Sequence, residues 1–221
     1  IKRLLEEIAA NPNVVLIEED FPLAKLNHRE FAALRARFSD IEDIYTLSPI
    51  QEGMLFHARN TGAMYLVQVG FKITGEFVPA ALRDAWTQAA ERYSTLRTAF
   101  VSDASPPLQV VNRRAVPNWR EEDWGDLSPE EQREKLTQFL DQDAVTPFDF
   151  SNPPLRFHMI RLSDGEHYFL WTVHHLLLDG WSLSLICKDV FETYAALVKK
   201  RALNRTPVRP FRDYMQWLLN Q

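Results

Sequence analysis

Residues 65–73 alternate with a period of two. Tyr65, Val67, Val69, Phe71 and Ile73 fall on one face and Leu66, Gln68, Gly70 and Lys72 on the other, the pattern of a strand. From Val78 to Tyr93 the period becomes helical, with Leu82, Ala85, Trp86, Ala89 and Tyr93 facing inward. Short apolar runs at 96–101 and 108–111 flank a Ser-Asp-Ala-Ser-Pro-Pro loop and read as paired strands. Two longer runs, 155–162 and 167–175, flank Ser163-Asp164-Gly165-Glu166 and predict a hairpin. Three capping boxes open helices: Asn27 with Glu30 for a helix over 28–38, Ser48 with Gln51 for one ending near His57, and Ser128 with Glu131 for one running through Leu136 and Leu140. Leu183, Ile186, Val190, Tyr194 and Leu197 share one face of a helix that Ser182 opens and that runs to about 200, and a last helix covers about 210–219. Residues 1–20 read as a short helix around Leu4, Leu5 and Ile8 followed by an extended Val14–Ile17, whereas 112–127 are polar with no clean period. Strands interleaved with helices predict an α/β or α+β sandwich, a mixed β-sheet flanked by helices.

At 221 residues and 46% apolar, the chain suffices for one core. A net charge of −5 offers no basic footprint for nucleic acid or anionic membranes. No apolar run approaches the roughly 20 residues that span a bilayer. Cys187 is the only cysteine, so no disulfide can form within the chain; it sits inside a helix as a small hydrophobe, and a reducing cytoplasm is the expected compartment. The start at Ile1 without methionine reads as an excerpt of something longer.

Chemistry concentrates at His174-His175-Leu176-Leu177-Leu178-Asp179-Gly180, where an apolar strand ends in two imidazoles and a carboxylate follows. Histidine titrates near neutrality and so can accept and return a proton. Adjacent strand residues point to opposite faces, so one histidine looks into a cavity while the other turns into the fold and needs a hydrogen-bond partner. For the same reason the pair cannot ligate one ion from a regular strand, and no metal is expected. The chain has no Gly-x-Ser-x-Gly elbow, which argues against a serine hydrolase.

His-His-x-x-x-Asp-Gly resembles the active-site motif of the condensation domains of nonribosomal peptide synthetases, in the chloramphenicol-acetyltransferase-like superfamily. Four further stretches resemble that family's motifs in order: Ile44 to His57, Glu91 to Phe100, Pro147-Phe148-Asp149-Phe150 with Pro154-Leu155-Arg156, and Phe211 to Leu218. Tyr93 and Ser94 depart from the family's usual His-Glu, and Val173 stands where many relatives carry a third histidine.

The resemblance implies amide-bond formation between a donor acyl or peptidyl thioester and an acceptor aminoacyl thioester, each carried on the 4'-phosphopantetheine of a carrier protein, with no cofactor bound directly. It implies His175 at the acceptor amine, His174 as its structural neighbour, and Gly180 giving a backbone N–H and close approach. Asp179 is expected to hold the loop as a buried partner of Arg92, or alternatively Arg97. Trp181 and Ser182 are the channel candidates. Residues 1–40 correspond to an inter-domain linker with a leading helix, and 41–221 to the N-terminal, donor-side lobe, with the second lobe absent. Expected partners are upstream and downstream peptidyl carriers, the C-terminal lobe and an adenylation domain. Leu-Leu-Leu-Asp-Gly-Trp-Ser and the first motif look like the group that takes a D-configured donor. The alternatives are an epimerisation domain, which shares the histidine motif but normally has Trp-Phe in the first, and a noncatalytic carrier-docking module. The isolated lobe is expected to be inactive.

Overall fold

The computed structural model describes residues 16–61, 64–114 and 118–221; the helix expected around Leu4 to Ile8 lies outside them. Thirteen α-helices and β-strands follow in order among the described residues, besides two short 3₁₀ helices (Glu18–Asp20 and Ser94–Arg97): α1 (His28–Arg37), β1 (Ile41–Thr46), α2 (Pro49–Thr61), β2 (Leu66–Thr74), α3 (Pro79–Arg92), β3 (Thr98–Val101), β4 (Leu108–Asn112), β5 (Trp119–Asp123), α4 (Pro129–Val145), β6 (Leu155–Ser163), β7 (Glu166–His174), α5 (Gly180–Val198) and α6 (Phe211–Leu219). The strands form two sheets rather than one. The smaller, in the order β1-β4-β3, is antiparallel; the larger, in the order β2-β7-β6-β5, is mixed, because β5 runs parallel to β6.

The β6–β7 hairpin turns through Gly165 at φ +76°, a left-handed conformation that costs glycine little. Alternation along β7 sends Phe169, Trp171 and Val173 to one face, where α3 and α5 cover them. Trp86 of α3 anchors that core, its ring 4.6 Å from Phe157 and 4.6 Å from Trp171. On the opposite face, under α4, lies a buried polar cluster around Asp143. Its carboxylate accepts from Arg156 Nε at 2.5 Å, Thr172 Oγ1 at 2.6 Å and Gln68 Nε2 at 2.8 Å. Burial alone would raise the Asp143 pKa, but these hydrogen bonds outweigh it and hold the carboxyl below its ordinary range. Arg156, from the third of those stretches of family resemblance, therefore anchors α4 to the sheet.

Residues 21–38 belong to the core of the smaller sheet. Phe21, Phe31, Leu34 and Phe38 pack with Ile44, Ala99, Val101 and Val110. On the same sheet Tyr45 and Val111 receive Met215 of α6, and Arg212 is hydrogen-bonded to Asp43 of β1 at 3.0 Å. The last helix is thereby fixed to the first strand.

Candidate active site

His175 lies one residue beyond β7. Its backbone N–H donates to the Tyr65 carbonyl at 2.9 Å, continuing the β2–β7 ladder past its end. The ring Nδ1 is 2.9 Å from the Leu178 carbonyl oxygen. A carbonyl only accepts, so Nδ1 carries the proton, and the neutral ring keeps its lone pair on Nε2. His174 is arranged the opposite way. It is fully buried at 0% exposure, its Nδ1 accepts the Leu176 N–H at 3.0 Å, and its proton therefore sits on Nε2. Phe150 and Tyr65 pack edge-on to its ring at centroid distances of 5.2 and 6.2 Å. Burial first, and then the neighbouring His175 ring, pushes the His174 pKa down to about 4, against a weaker opposing pull from the Met64 backbone.

His175 lines a cleft of about 550 Å³ together with Ser48, Tyr93, Ser94, Ser182, Leu185 and Tyr214, among others. A second cavity of about 540 Å³ lies on the Asp143 side, lined by the paired Arg156 and Asp143 and by His158 and the exposed Asp149. The loop carrying His175 is held from below by Gln51, whose Nε2 donates to the Leu176 carbonyl at 2.9 Å. Gln51 and Gln109 of β4 exchange side-chain hydrogen bonds at 3.1 and 3.0 Å. Gln51 is legible in the sequence as the second half of a capping box, and its side chain does accept the Ser48 N–H at 3.0 Å. Gln109 is a strand residue with no local signal, and only the tertiary contact reveals it.

Asp179 requires a correction. It is exposed, and neither Arg92 nor Arg97 pairs with it; its Oδ1 instead accepts the Ser182 N–H at 2.8 Å, making it the N-cap of α5. Ser182 therefore lies inside the helix rather than opening it. The hydrogen bonds from Ser182 hold the Asp179 carboxyl below its ordinary range. Arg92 is engaged further along the same helix, its Nε 3.4 Å from Asp189 and its Nη2 donating to the Thr206 carbonyl at 2.7 Å. Asp189 lies ten residues beyond Asp179, about 15 Å at the helical rise. Arg97 is buried, 2.5 Å from Glu42, and donates to the Ala90 carbonyl at 2.7 Å, joining α3 to β1. Gly180 is the first residue of α5, and a Cβ there would meet nothing within 4 Å. Of the two channel candidates, Ser182 lines the cleft, whereas Trp181 points outward at 84% exposure.

A buried histidine beside one poised over a cleft, on a two-sheet α+β frame, matches one protein family along most of the chain: the condensation-domain model covers residues 41–221. The chain belongs to the condensation-domain family of the nonribosomal peptide synthetases. A linear gramicidin synthase polypeptide of Brevibacillus parabrevis is 38% identical over 91% of this chain, which covers 3% of that protein. A mycosubtilin synthase polypeptide of Bacillus subtilis is 32% identical over 100% of the chain and 9% of its own length. Among solved structures, the starter condensation domain of rhizomide synthetase superposes with a TM-score of 0.71 at 17% identity, covering 81% of this chain and 44% of that one. The X-domain in the teicoplanin X-domain–OxyB complex superposes at 0.70 with 26% identity, covering 79% of this chain and 38% of that one. The chain thus spans a small fraction of its curated relatives and less than half of these solved chains. Among the described residues no helix is long and apolar enough to cross a membrane.

Proposed function

We propose that this chain is the histidine-bearing, donor-side lobe of a condensation domain that joins two carrier-bound thioesters through an amide bond. The observation that carries the reading is the hydrogen bond from His175 Nδ1–H to Leu178 O in the wall of the cleft, which in the neutral ring leaves the lone pair on Nε2. In this reading Nε2 accepts a hydrogen bond from the acceptor amine and takes its proton as nitrogen attacks the donor thioester carbonyl. The C–N bond forms, the tetrahedral oxyanion collapses, the C–S bond breaks, and the departing thiolate takes the proton back from Nε2. Thioesters are already activated, so positioning, worth about 7–11 kcal/mol in favourable cases, supplies most of the rate. Proton handling by one side chain adds about 10²–10⁴-fold.

The remaining wall of the cleft belongs, in this reading, to a second lobe outside residues 1–221. Substrates arrive on the phosphopantetheine arms of an upstream and a downstream carrier, the latter loaded by an adenylation domain, in the cytoplasm. Open space above Gly180 supports an arm passing there, because nothing in the chain itself requires glycine at that position.

The reaction class is tested by supplying the two-lobe domain with a donor-loaded and an acceptor-loaded carrier and following the acceptor carrier by mass spectrometry. The expected product is an acceptor carrier heavier by the donor acyl group, with the donor carrier returned as free thiol. Isomerisation of the donor α-carbon without acyl transfer would establish epimerisation instead, and carrier binding with neither reaction would establish a docking module.

A further inference from the structure

The segment between α5 and α6 carries an arginine whose position differs from that of its neighbours. Arg205 is tied to α5: its Nη1 is 3.5 Å from Asp189 Oδ2, and its Nη2 donates to the Asp189 carbonyl at 3.1 Å and to the Thr193 hydroxyl. Arg212 is tied to Asp43 at 3.0 Å. Between them, Arg209 has no ion-pair partner among the described residues, and it lines the His175 cleft. Among the described residues it is the only lysine or arginine that does so; Arg201, which also lacks a carboxylate partner there, lies away from the cleft.

Local structure fixes where this cation is presented. Arg205 and the Arg92–Thr206 hydrogen bond staple the segment to α5 and α3 just before it. Pro207 and Pro210 bracket Val208 and Arg209, and a residue preceding proline is confined to extended backbone. The one carboxylate in the same wall, Asp179, is occupied by the Ser182 N–H. Asp179 keeps its charge, but no ion pair joins it to Arg209, so the cleft holds one unpaired cation on an anchored segment.

We infer that Arg209 is a positioning residue that binds an oxyanion carried by the thioester substrate entering the His175 cleft. The inference rests on the condensation reading above for the substrate's identity. Two oxyanions fit such a substrate: the phosphodiester of the carrier's pantetheine arm, and a carboxylate on the aminoacyl side chain. A guanidinium binds either through paired N–H donors.

Three acceptor thioesters separate the sources when given to the two-lobe domain with a loaded donor carrier. These are a neutral aminoacyl group on pantetheine, the same group on 4'-phosphopantetheine, and an acidic aminoacyl group on pantetheine. Arg209→Gln is expected to raise KM for one anionic acceptor about tenfold more than for the neutral one. Arg209→Lys should retain part of the preference, and high salt should shrink it in the unsubstituted protein. A preference lost with the phosphorylated acceptor identifies the arm, and one lost with the acidic acceptor identifies the side chain. Equal effects on all three acceptors, or none, overturn the inference. If the unsubstituted domain forms no amide from any acceptor, the condensation reading fails. Binding of 4'-phosphopantetheine and of an acidic aminoacyl-pantetheine, each against pantetheine and followed by NMR shifts, then decides the role of Arg209: a preference for either anionic compound that Arg209→Gln removes upholds it, and no preference for either refutes it.

Discussion

His174 and His175 are adjacent, yet their rings hold their protons on opposite nitrogens. Each tautomer follows from a single backbone partner, the Leu176 N–H for His174 and the Leu178 carbonyl for His175. Strand alternation alone predicts that the two part company. Which one loses its basicity follows from burial under Phe150, which no local pattern reveals. The depressed His174 pKa has a consequence for stability. The unfolded chain takes up a proton near the ordinary value of 6.5, the folded chain only near 4, so the unfolded state binds more protons between these limits. Stability should therefore be full above about pH 6.5 and fall as the pH drops toward 4, by up to about 3 kcal/mol from this site. His158 and His167 act in the same direction, since burial lowers both of their pKa values as well. Urea unfolding at pH 7.5 and pH 4.5 measures the loss, and His174→Gln should flatten part of the slope. A His174→Gln slope identical to that of the unsubstituted protein would place the ring's titration elsewhere.

The elements show where local signals suffice. Asp179 is the capping residue of α5, and Arg92 reaches Asp189 rather than Asp179, so the loop after His175 is closed by a helix cap instead of a buried ion pair. Asp179→Ala should thus cost about 1 kcal/mol, the usual loss of an N-cap, and lower Tm by a few degrees. A loss of about 3–5 kcal/mol, the signature of a stranded buried charge, would reinstate the arginine pair, and an unchanged Tm would remove the cap's contribution. The hairpin, the three capped helices and the alternating β2 are all visible in the sequence, because each rests on a period or a turn residue. Two strands are not. β5, Trp-Arg-Glu-Glu-Asp, is a mostly exposed edge strand whose charged residues mask any alternation, and its register comes wholly from pairing with β6. β1 carries Glu42 and Asp43 among its apolar residues, and these make sense only once Arg97 and Arg212 reach them from distant elements. For the same reason one sheet is the natural expectation from sequence: the division into two depends on long-range pairing partners.

At the scale of the molecule, the His175 cleft lies where apolar surface is left uncovered. Ile50 and Leu185 line it at 71% and 64% exposure, and Tyr214 and Trp217 of α6 are also exposed. Such a concentration of apolar side chains around a cleft suits a surface meant to be covered. The solved starter condensation domain is more than twice as long as the stretch this chain matches. These facts agree with the proposal that a second lobe completes the cavity and that the chain alone lacks the walls to hold two arms in attack geometry. In the proposed reaction His175 is the reacting centre. The most direct test is single-turnover acyl transfer between loaded carriers by the two-lobe domain carrying His175→Ala, with folding checked by circular dichroism. The predicted result is a folded protein whose transfer rate falls by about 10²–10⁴-fold; transfer at the unsubstituted rate by that folded variant would contradict the account.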